Sequence, residues 1–553
     1  MSTGTHHVIE PDYAPAPGFF DELLEGPGRP RGPATGLVGA LTRLGRDRLR
    51  SAGERRDAIF VQQGITFDAS GPEGPSRDRP FPLDLVPRIL PADEWRTIKR
   101  GLAQRVRALN YFVEDVYHGQ EIVREGIVPW QLVLTRSNFE RAAHGIRPPG
   151  GVWCHVSGCD LVRDADGRWK VLEDNVRTPS GISYVLENRI AMSRLLPELF
   201  TGYDVRPVSH YPALLLDALQ AAAPGGGENP VVVVWTPGPA NSAYFEHAFL
   251  ARQMGVELVE ASDLLVRDGL CYMRTTRGLA QVDSIYRRID DAFMDPLEFR
   301  ADSLLGVPGL MGVYRAGNVA IANAVGTGVA DDKAIYHYVP EMIRYYVGEE
   351  PILDNLPTWL LADPEQRAYA LEHLHELVVK PTGESGGKGV FIGPQASEEQ
   401  LADQRGLVEQ APERWIAQQT VALSTVPTAL PDGSLAPRHV DLRPFAIYGD
   451  EIKIIPGGLT RVALREGSMI VNSSQGGGSK DTWVLADGSG DAAGPGQAGL
   501  APPALPGMRQ AGWRGQEQQQ QQGPKQPARP AAQGLASLKQ PARPAAQGWV
   551  SGP

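Results

Sequence analysis

The apolar positions of this chain change their spacing from region to region, and each spacing predicts a different element. Between residues 94 and 118 apolar residues recur every three or four positions, which is typical of one face of a helix. Asp93 stands where an N-cap residue is expected. The stripe consists of Trp95, Ile98, Leu102, Val106, Leu109, Phe112, Val113 and Val116. Such a stripe predicts packing against a core.

Other stretches follow strand patterns. The run 231–235 is continuously apolar, 242–254 reads as a helix, and 256–259 reads as a second strand. Strand, helix and strand at this spacing predict a βαβ unit in a parallel sheet. Further strands are predicted over 58–67 with a turn at Gly64, and over 415–421, 440–448 and 469–471. The fold class is therefore mixed, α/β with α+β parts.

A hairpin over residues 158–175 carries the first candidate chemistry. Asp166-Gly167 is a strong two-residue turn signal between two strands. Glu173 and Asn175 are two apart and share a face, and Asp160 can face them across the hairpin. Two carboxylates and an amide oxygen suit Mg²⁺. The alternative is a polar, solvated hairpin face.

A second candidate is a lysine followed by a glycine-rich loop. Lys380 ends a β-branched run, the loop spans 383–389, and 390–392 reads as a strand. Backbone amides in such a loop can form a nest for phosphates. The loop residues predicted to bind nucleotide are Gly383, Ser385, Gly386, Gly387, Lys388 and Gly389. The Walker motif is excluded because Gly389 follows Lys388 where Ser or Thr is required. A hairpin with a flexible tip is the alternative.

Several more positions are candidates. Lys333 lies near a helix start, where the helix dipole disfavours a cation, so a phosphate contact is favoured. Arg287 and Arg288 follow the strand 282–286, at the sheet edge where ligands bind, and they are placed for a carboxylate. An ion pair with Asp290 or Asp291 is the alternative for these two arginines. A last group comprises Gln418 and Gln419 for adenine recognition, and Arg443 and Arg461 as phosphate clamps with surface ion pairs as the alternative.

Composition narrows the class of protein. The net charge is −11, which does not indicate a nucleic-acid binder. The three cysteines, Cys154, Cys159 and Cys271, suit a reducing cytoplasm, and buried thiols are favoured over a zinc site with His155. No long apolar run indicates a membrane span and no secretory signal is present, so a cytoplasmic protein is expected.

The chain is expected to divide into five parts. These are an N-terminal extension, partly disordered (1–80), a helical segment with the metal-binding hairpin (81–205), an α/β domain (206–325), a nucleotide-binding domain (326–485) and a tail (486–553). The tail repeats the ten-residue word Lys-Gln-Pro-Ala-Arg-Pro-Ala-Ala-Gln-Gly at 525–534 and 539–548. Its composition predicts disorder.

Together these features resemble the ATP-grasp superfamily. Glu173-Asp174-Asn175 matches its Glu-x-Asn metal strand, Asp160 its upstream metal acid, and Lys333 and Lys380 its two nucleotide lysines. In ordinary members the Glu-x-Asn strand comes last, whereas here it precedes both lysines. The order, and the wording of 177–181, 286–291 and 476–481, resembles the circularly permuted ATP-grasp family of peptide-ligase-like and glutathionylspermidine-synthase-like proteins.

The resemblance implies a fold, a reaction and a set of roles. The fold would be a circularly permuted ATP-grasp with an inserted Rossmann-like pre-ATP-grasp domain. ATP and one or two Mg²⁺ would convert a small-molecule or peptide carboxylate to an acyl phosphate, which an amine attacks. Lys333 and Lys380 would hold phosphates, and Arg443 and Arg461 would steady the transferred phosphoryl group. A nucleotide-binding scaffold protein and a small-molecule kinase remain alternatives.

Overall fold

The computed structural model describes residues 13–65, 70–71, 74–75, 80–383, 389–471 and 476–487. These residues belong to one compact unit, Met1–Ala493. The predicted low-complexity tail lies outside the described residues apart from positions 486 and 487. Within the described part of the chain, no helix is both long enough and apolar enough to cross a membrane.

Strands and helices alternate irregularly along the chain. The strands are β1 (Leu24–Gly26), β2 (Arg29–Pro30), β3 (Ser70–Gly71), β4 (Gly74–Pro75), β5 (Leu83–Leu90), β6 (Val156–Arg163), β7 (Trp169–Asn175), β8 (Val232–Trp235), β9 (Glu257–Val259), β10 (Leu264–Arg267), β11 (Leu270–Thr275), β12 (Gly278–Gln281), β13 (Ser284–Arg287), β14 (Ala320–Ala322), β15 (Asp354–Asn355), β16 (Thr358–Leu360), β17 (Leu377–Pro381), β18 (Phe391–Ile392), β19 (Trp415–Gln419), β20 (Thr425–Ala429), β21 (Leu435–Arg443), β22 (Phe445–Tyr448), β23 (Ile452–Ile454), β24 (Leu459–Val462) and β25 (Gly478–Val484). The α-helices are α1 (Thr35–Gln63), α2 (Ala92–Tyr117), α3 (Glu121–Arg124), α4 (Trp130–Leu134), α5 (Ile182–Leu195), α6 (Tyr211–Ala221), α7 (Tyr244–Met254), α8 (Asp291–Met294), α9 (Leu310–Arg315), α10 (Lys333–Tyr336), α11 (Val339–Met342), α12 (Pro364–Glu372) and α13 (Glu398–Gln410).

The largest sheet is built around the predicted hairpin. Its strand order is β15-β7-β6-β21-β24-β25-β5, and β20, β22 and β23 pair off this path. Strands β6 and β7 are antiparallel, with Asp160 opposite Glu173 and Gly158 opposite Asn175. Gly167 has a φ of 79° in the turn, a conformation that glycine adopts without a steric cost. The hairpin prediction is confirmed, but the predicted two-residue turn was wrong, because the loop spans 164–168 and the Gly167 amide donates to the Asp164 carbonyl at 2.9 Å. The candidate metal residues lie on the neighbouring strands β6 and β7 of this sheet.

The predicted βαβ unit is also present. Strands β8 and β9 pair in parallel and are joined by α7, and the four-stranded parallel sheet has the order β14-β13-β8-β9. Strands β8, β13 and β14 are short and buried, whereas the edge strand β9 begins with the exposed Glu257. The identification of this region as a Rossmann-like pre-ATP-grasp domain stays a prediction.

A small antiparallel sheet carries the predicted lysine strand. Its order is β16-β19-β17-β18. It has a core of its own, made by Leu361, Ala370, Leu374, Leu377, Val379, Val408 and Ala417. Helices α12 and α13 supply part of this core. The small sheet is therefore a separate layer that stands against the large one.

Helix α2 has the predicted apolar face, but its N-cap residue differs from the predicted one. All eight stripe residues are buried. The N-cap residue is Pro91, and Asp93 lies in the first turn without a capping hydrogen bond, so the predicted cap was wrong. The φ of Pro91 is −59°, close to the helical value, and the helix begins at Ala92, two residues before the predicted start at Glu94. Asp93 acts only as an acidic charge near the positive end of the helix dipole.

Three predicted strands were wrong or incomplete. Residues 58–63 continue helix α1, because Phe60 packs in the core with Leu49 and Ala52 and the helix propagates cooperatively from them. The strand over 440–448 is divided at Pro444, which has no amide N–H for the ladder. Residues 469–471 form no strand, and they line a cavity instead.

Candidate active site

A cavity of about 240 Å³ lies between the small sheet and the large sheet. From the small sheet, Lys380 on β17 and Gln418 and Gln419 on β19 line it. The large sheet contributes polar side chains from β7, β21 and β24, namely Glu173, Asp441 and Arg461. Apolar side chains complete the wall at Val162, Leu172, Leu356, Val378, Ile392, Leu423 and Met469. A cleft lined by apolar side chains and a few charged groups is typical of a small-molecule site.

Lys380 is held by a neighbouring strand. Its Nζ donates to Oε1 of Gln418 at 2.6 Å, and Nε2 of Gln418 donates to Oγ1 of Thr358 at 3.1 Å. The pKa of Lys380 is lowered to about 8, chiefly by burial and to a smaller extent by the charge of Lys333, although the carboxylate of Glu173 acts in the opposite direction. The lysine is therefore oriented toward the cavity wall and gains by meeting an anion.

Lys333 approaches from a different element. It begins α10, where the Asp332 carboxylate caps the helix by accepting from the Ala334 amide at 2.8 Å. The Lys333 amide donates to the Thr382 carbonyl at 3.2 Å, which ties this helix start to the end of β17. Its Nζ lies 3.7 Å from the Glu173 carboxylate. The two predicted nucleotide lysines thus line the same cavity, although 47 positions of sequence separate them.

Two arginines and two aspartates form a buried network beside the cavity. Arg443 grips Asp160 through Nε at 2.5 Å and Nη2 at 2.8 Å, and its Nη2 lies 3.7 Å from Glu173. Arg461 donates to Asp160 at 2.6 Å and to Asp441, whose two oxygens lie 3.0 Å from its Nε. Burial raises the pKa of Asp160, but the two guanidinium groups outweigh it and hold that pKa well below its usual range. Burial instead raises the pKa of Asp441.

The sequence analysis missed Asp441. It alternates with Arg443 along β21 and stands directly opposite Arg461 on β24. An acidic residue two positions before a candidate arginine, on the same strand face, was the available signal. Its carboxylate fixes Arg461, so that the guanidinium is already placed before any phosphate arrives.

The donor set for a divalent cation is hard oxygen. Asn175 donates through Nδ2 to the Gly158 carbonyl at 3.1 Å, which fixes the amide. The carboxylate of Glu173 makes ion pairs with Lys333 and Arg443, and both are 3.7 Å long. These two residues fit Mg²⁺, whose remaining ligands are usually waters and substrate phosphates. Both oxygens of Asp160 accept from arginines, so a cation at Asp160 would share these oxygens with two guanidinium groups.

Arg287 and Arg288 do not line the cavity. Arg287 is fully buried and donates to the carbonyls of Asn323, Ile289 and Ala324 at 2.7–2.9 Å, with an ion pair to Asp291. This is the structural alternative that the sequence left open, and it leaves little of the guanidinium for a substrate.

Arg288 instead holds the loop that follows β7. It donates to the Pro179 carbonyl at 2.9 Å and to Oγ of Ser180 at 2.5 Å, and it pairs with buried Glu246 at 3.1 Å. Glu246 also accepts from the amides of Gly181 and Ser183 at the start of α5. Arg288 and Glu246 therefore position residues 179–183 beside the network.

The glycine loop is described only at its ends. Gly383 is exposed, and Gly389 has a φ of 69°, which favours glycine at the return into β18. The predictions for Ser385, Gly386, Gly387 and Lys388 lie outside the described residues.

Comparisons with known proteins agree with this geometry. The family model "Circularly permuted ATP-grasp type 2" matches residues 87–463. An uncharacterized protein of Synechocystis sp. is 55% identical over 468 residues, which cover 84% of this chain and 97% of that protein. An uncharacterized protein of Mycobacterium tuberculosis is 53% identical over 468 residues, 84% of each chain. These relatives match this chain over most of their own length.

A third relative carries a descriptive name. The Frankia alni protein "Putative glutamate--cysteine ligase 2-3" is 47% identical over 472 residues, which cover 85% of this chain but 54% of that protein. Among solved structures, a glutathione synthetase-like effector from Globodera pallida covers 80% of this chain and 98% of its own, with a TM-score of 0.51 and 11% identity, which supports the fold alone. The chain therefore belongs to the circularly permuted ATP-grasp type 2 family.

Proposed function

We propose that the chain activates a carboxylate with ATP as an acyl phosphate and passes the acyl group to an amine. The observation that carries the proposal is the single cavity in which Lys333, Lys380, Glu173 and Arg461 meet between two sheets. Four cations, counting Arg443, stand against the carboxylates of Glu173, Asp160 and Asp441 in this neighbourhood. That balance favours a polyanion such as a triphosphate.

The residues have separable tasks. The apolar wall and Gln418 and Gln419 accept the base, and Lys333 and Lys380 bind phosphates. Arg443 and Arg461 are held 2.5–3.0 Å from carboxylate oxygens, so exchanging Asp160 for a phosphate would keep each arginine hydrogen-bonded. Glu173 and Asn175 would hold Mg²⁺, which supplies charge neutralisation between phosphates.

The reaction balances without a protein nucleophile. A carboxylate oxygen of the substrate attacks the γ-phosphorus, the bond to the β–γ bridging oxygen breaks, and ADP leaves. The amine nitrogen then attacks the acyl carbon, inorganic phosphate leaves, and the nitrogen loses a proton. The protein orients the reactants and stabilises charge, which is the main contribution of enzymes to phosphoryl transfer.

The first experiment measures nucleotide binding. The thermal unfolding midpoint is recorded with and without Mg-ATP for wild type, Lys380→Ala and Lys453→Ala, a matched exposed lysine on β23. At about 100 times its dissociation constant, ATP should add roughly 2.7 kcal/mol to the stability of wild type and of the control. The gain should be lost in Lys380→Ala. No gain in wild type at millimolar Mg-ATP would contradict the proposal.

The second experiment separates a ligase from a kinase or a scaffold protein. Hydroxylamine converts an acyl phosphate to a hydroxamate and phosphate, so carboxylate-dependent hydroxamate with equal ADP release identifies acyl activation. A stable phosphorylated product that resists hydroxylamine would instead indicate a kinase. Binding of ATP without turnover would indicate a scaffold protein.

A further inference from the structure

A second, smaller cavity adjoins the first. It has a volume of about 30 Å³, and its walls include Asn138, Asn175, Arg177 and Thr382. It shares Glu173 and Lys333 with the larger cavity. Those two side chains therefore stand between the spaces, and a group in the small cavity lies next to the predicted phosphate end of the nucleotide.

Arg177 makes two long ion pairs with carboxylates. Its Nη1 lies 3.4 Å from Asp290 and its Nε lies 3.4 Å from Asp331. Charge-assisted hydrogen bonds are shorter, about 2.7–2.9 Å. Arg287 and Arg443, by contrast, make their main contacts within 2.9 Å. The Arg177 side chain is also 24% exposed, whereas that of Arg287 is fully buried.

The position of Arg177 is nevertheless fixed. Its amide and that of Val176 donate to Asp331 Oδ1 at 3.2 and 2.5 Å, so the chain leaves β7 in a set direction. Its Cδ packs against Gly328, where an added Cβ would lie only 3.3 Å away. Asp290 and Asp331 hold the guanidinium electrostatically without saturating its donors. A pre-placed guanidinium with donors to spare is suited to a planar anion.

We propose that Arg177 binds the carboxylate that is to be activated, in the small cavity beside Glu173 and Lys333. This inference rests on the proposed function and gives it a substrate contact, in place of the contact first expected from Arg287 and Arg288. The cavity volume admits a carboxylate head group, with the remainder of the substrate extending outward. One carboxylate oxygen is held by Arg177, and the other is left to attack the γ-phosphorus.

The test uses hydroxylamine as the amine, so that only the carboxylate must be found. The probes are the proteinogenic amino acids, simple dicarboxylates and dipeptides, each with Mg-ATP and the full chain. The variants are Arg177→Lys, which keeps the charge but loses the planar fork, and Arg168→Lys. Arg168 is a matched control because it lies on the turn of the same hairpin and is 67% exposed.

We expect the substitution to change the KM for the carboxylate but not the KM for ATP. In Arg177→Lys the KM for the carboxylate should rise at least about 10-fold, the size of a lost hydrogen bond to a charged group, while the KM for ATP stays within about 2-fold. Arg168→Lys should match wild type in both. Unfolding midpoints for all three proteins show whether the fold is intact.

Three outcomes would overturn the inference. An unchanged carboxylate KM in Arg177→Lys would show that this arginine does not bind the substrate. A raised KM for ATP with an unchanged carboxylate KM would assign it to the γ-phosphate. If wild type binds Mg-ATP but forms no hydroxamate from any probe, the proposed function fails and this inference fails with it, a pattern that differs from the first two because wild type itself is inactive.

Discussion

Two arginine pairs in this molecule have the same side chains but different surroundings. Arg287 and Arg288 end a strand of the parallel sheet, and Arg443 and Arg461 lie on adjacent strands of the large sheet. Arg287 donates hydrogen bonds to backbone carbonyls, whose positions are fixed by the fold. Arg443 and Arg461 donate hydrogen bonds to the carboxylates of Asp160 and Asp441 beside a cavity.

The difference concerns which partner can be exchanged. A backbone carbonyl is fixed by the fold, so Arg287 holds the structure together, and Arg288 holds the loop after β7 through Pro179, Ser180 and buried Glu246. A carboxylate side chain can give up its place to a phosphate, so the second pair can serve a substrate and still remain hydrogen-bonded. Both pairs reach the loop after β7, since Arg288 donates to Oγ of Ser180 and Arg443 lies 3.4 Å from the Ser180 carbonyl.

The largest expected effect is a loss of stability when Arg287 of the first pair is replaced. Arg287→Met leaves Asp291 without its ion-pair partner and removes the hydrogen bonds that Arg287 donates to three carbonyls, so the free energy of unfolding should fall by about 3–5 kcal/mol. Urea denaturation measures this loss, and Arg287→Lys should recover part of it. An unfolding free energy equal to that of wild type would contradict the structural role.

The next largest effect is a loss of activity when Arg443 of the second pair is replaced. Arg443→Gln should lower kcat by about 10²–10³-fold, the usual cost of losing a group that stabilises transition-state charge. Its stability should fall less than that of Arg287→Met, because Asp160 keeps Arg461. Steady-state ADP release and urea denaturation on the same samples provide the comparison. Equal losses of stability and retained kcat would remove the distinction between the pairs.

A third prediction concerns the pH dependence of ATP affinity. The pKa of Lys380 is lowered to about 8 by burial, and bound phosphate favours the charged form and raises that pKa. Affinity should therefore be complete below about pH 8 and weaken by up to about tenfold per pH unit above it. Titration of ATP from pH 7 to 9.5 measures the decline. Lys380→Arg should abolish it because arginine stays protonated; a decline that persists would assign it to another group.

The smallest effect is expected at Ser180, in the loop after β7 that both arginine pairs contact. Ser180→Ala removes the hydroxyl that Arg288 contacts, but keeps the carbonyl that Arg443 contacts. The free energy of unfolding should fall by about 1 kcal/mol, since Arg288 retains Glu246 and Pro179, and kcat should change by less than about 10-fold. A larger loss of kcat than of stability would place the hydroxyl itself in the reaction.

Local patterns predicted the elements whose chemistry depends on near neighbours. The hairpin, the Asp160–Glu173 pairing and the α2 stripe all appear as expected, because residue spacing acts within a few positions. The first strand predicted within 58–67 was wrong for the opposite reason, since residues 58–63 are helical. A short β-branched run was overruled by a long helix that packs through Phe60.

The sequence by itself determined the inventory of this protein: the two lysines, the Glu-x-Asn strand and the candidate arginines, with their permuted order along the chain. Only the tertiary structure decided which arginines are available to a substrate. Arg287, Arg288, Arg177, Arg443 and Arg461 look alike in sequence, since each follows or lies within a strand. Their roles separate because hydrogen-bond donors are consumed by whatever the fold places within about 3 Å, and those partners come from distant parts of the chain.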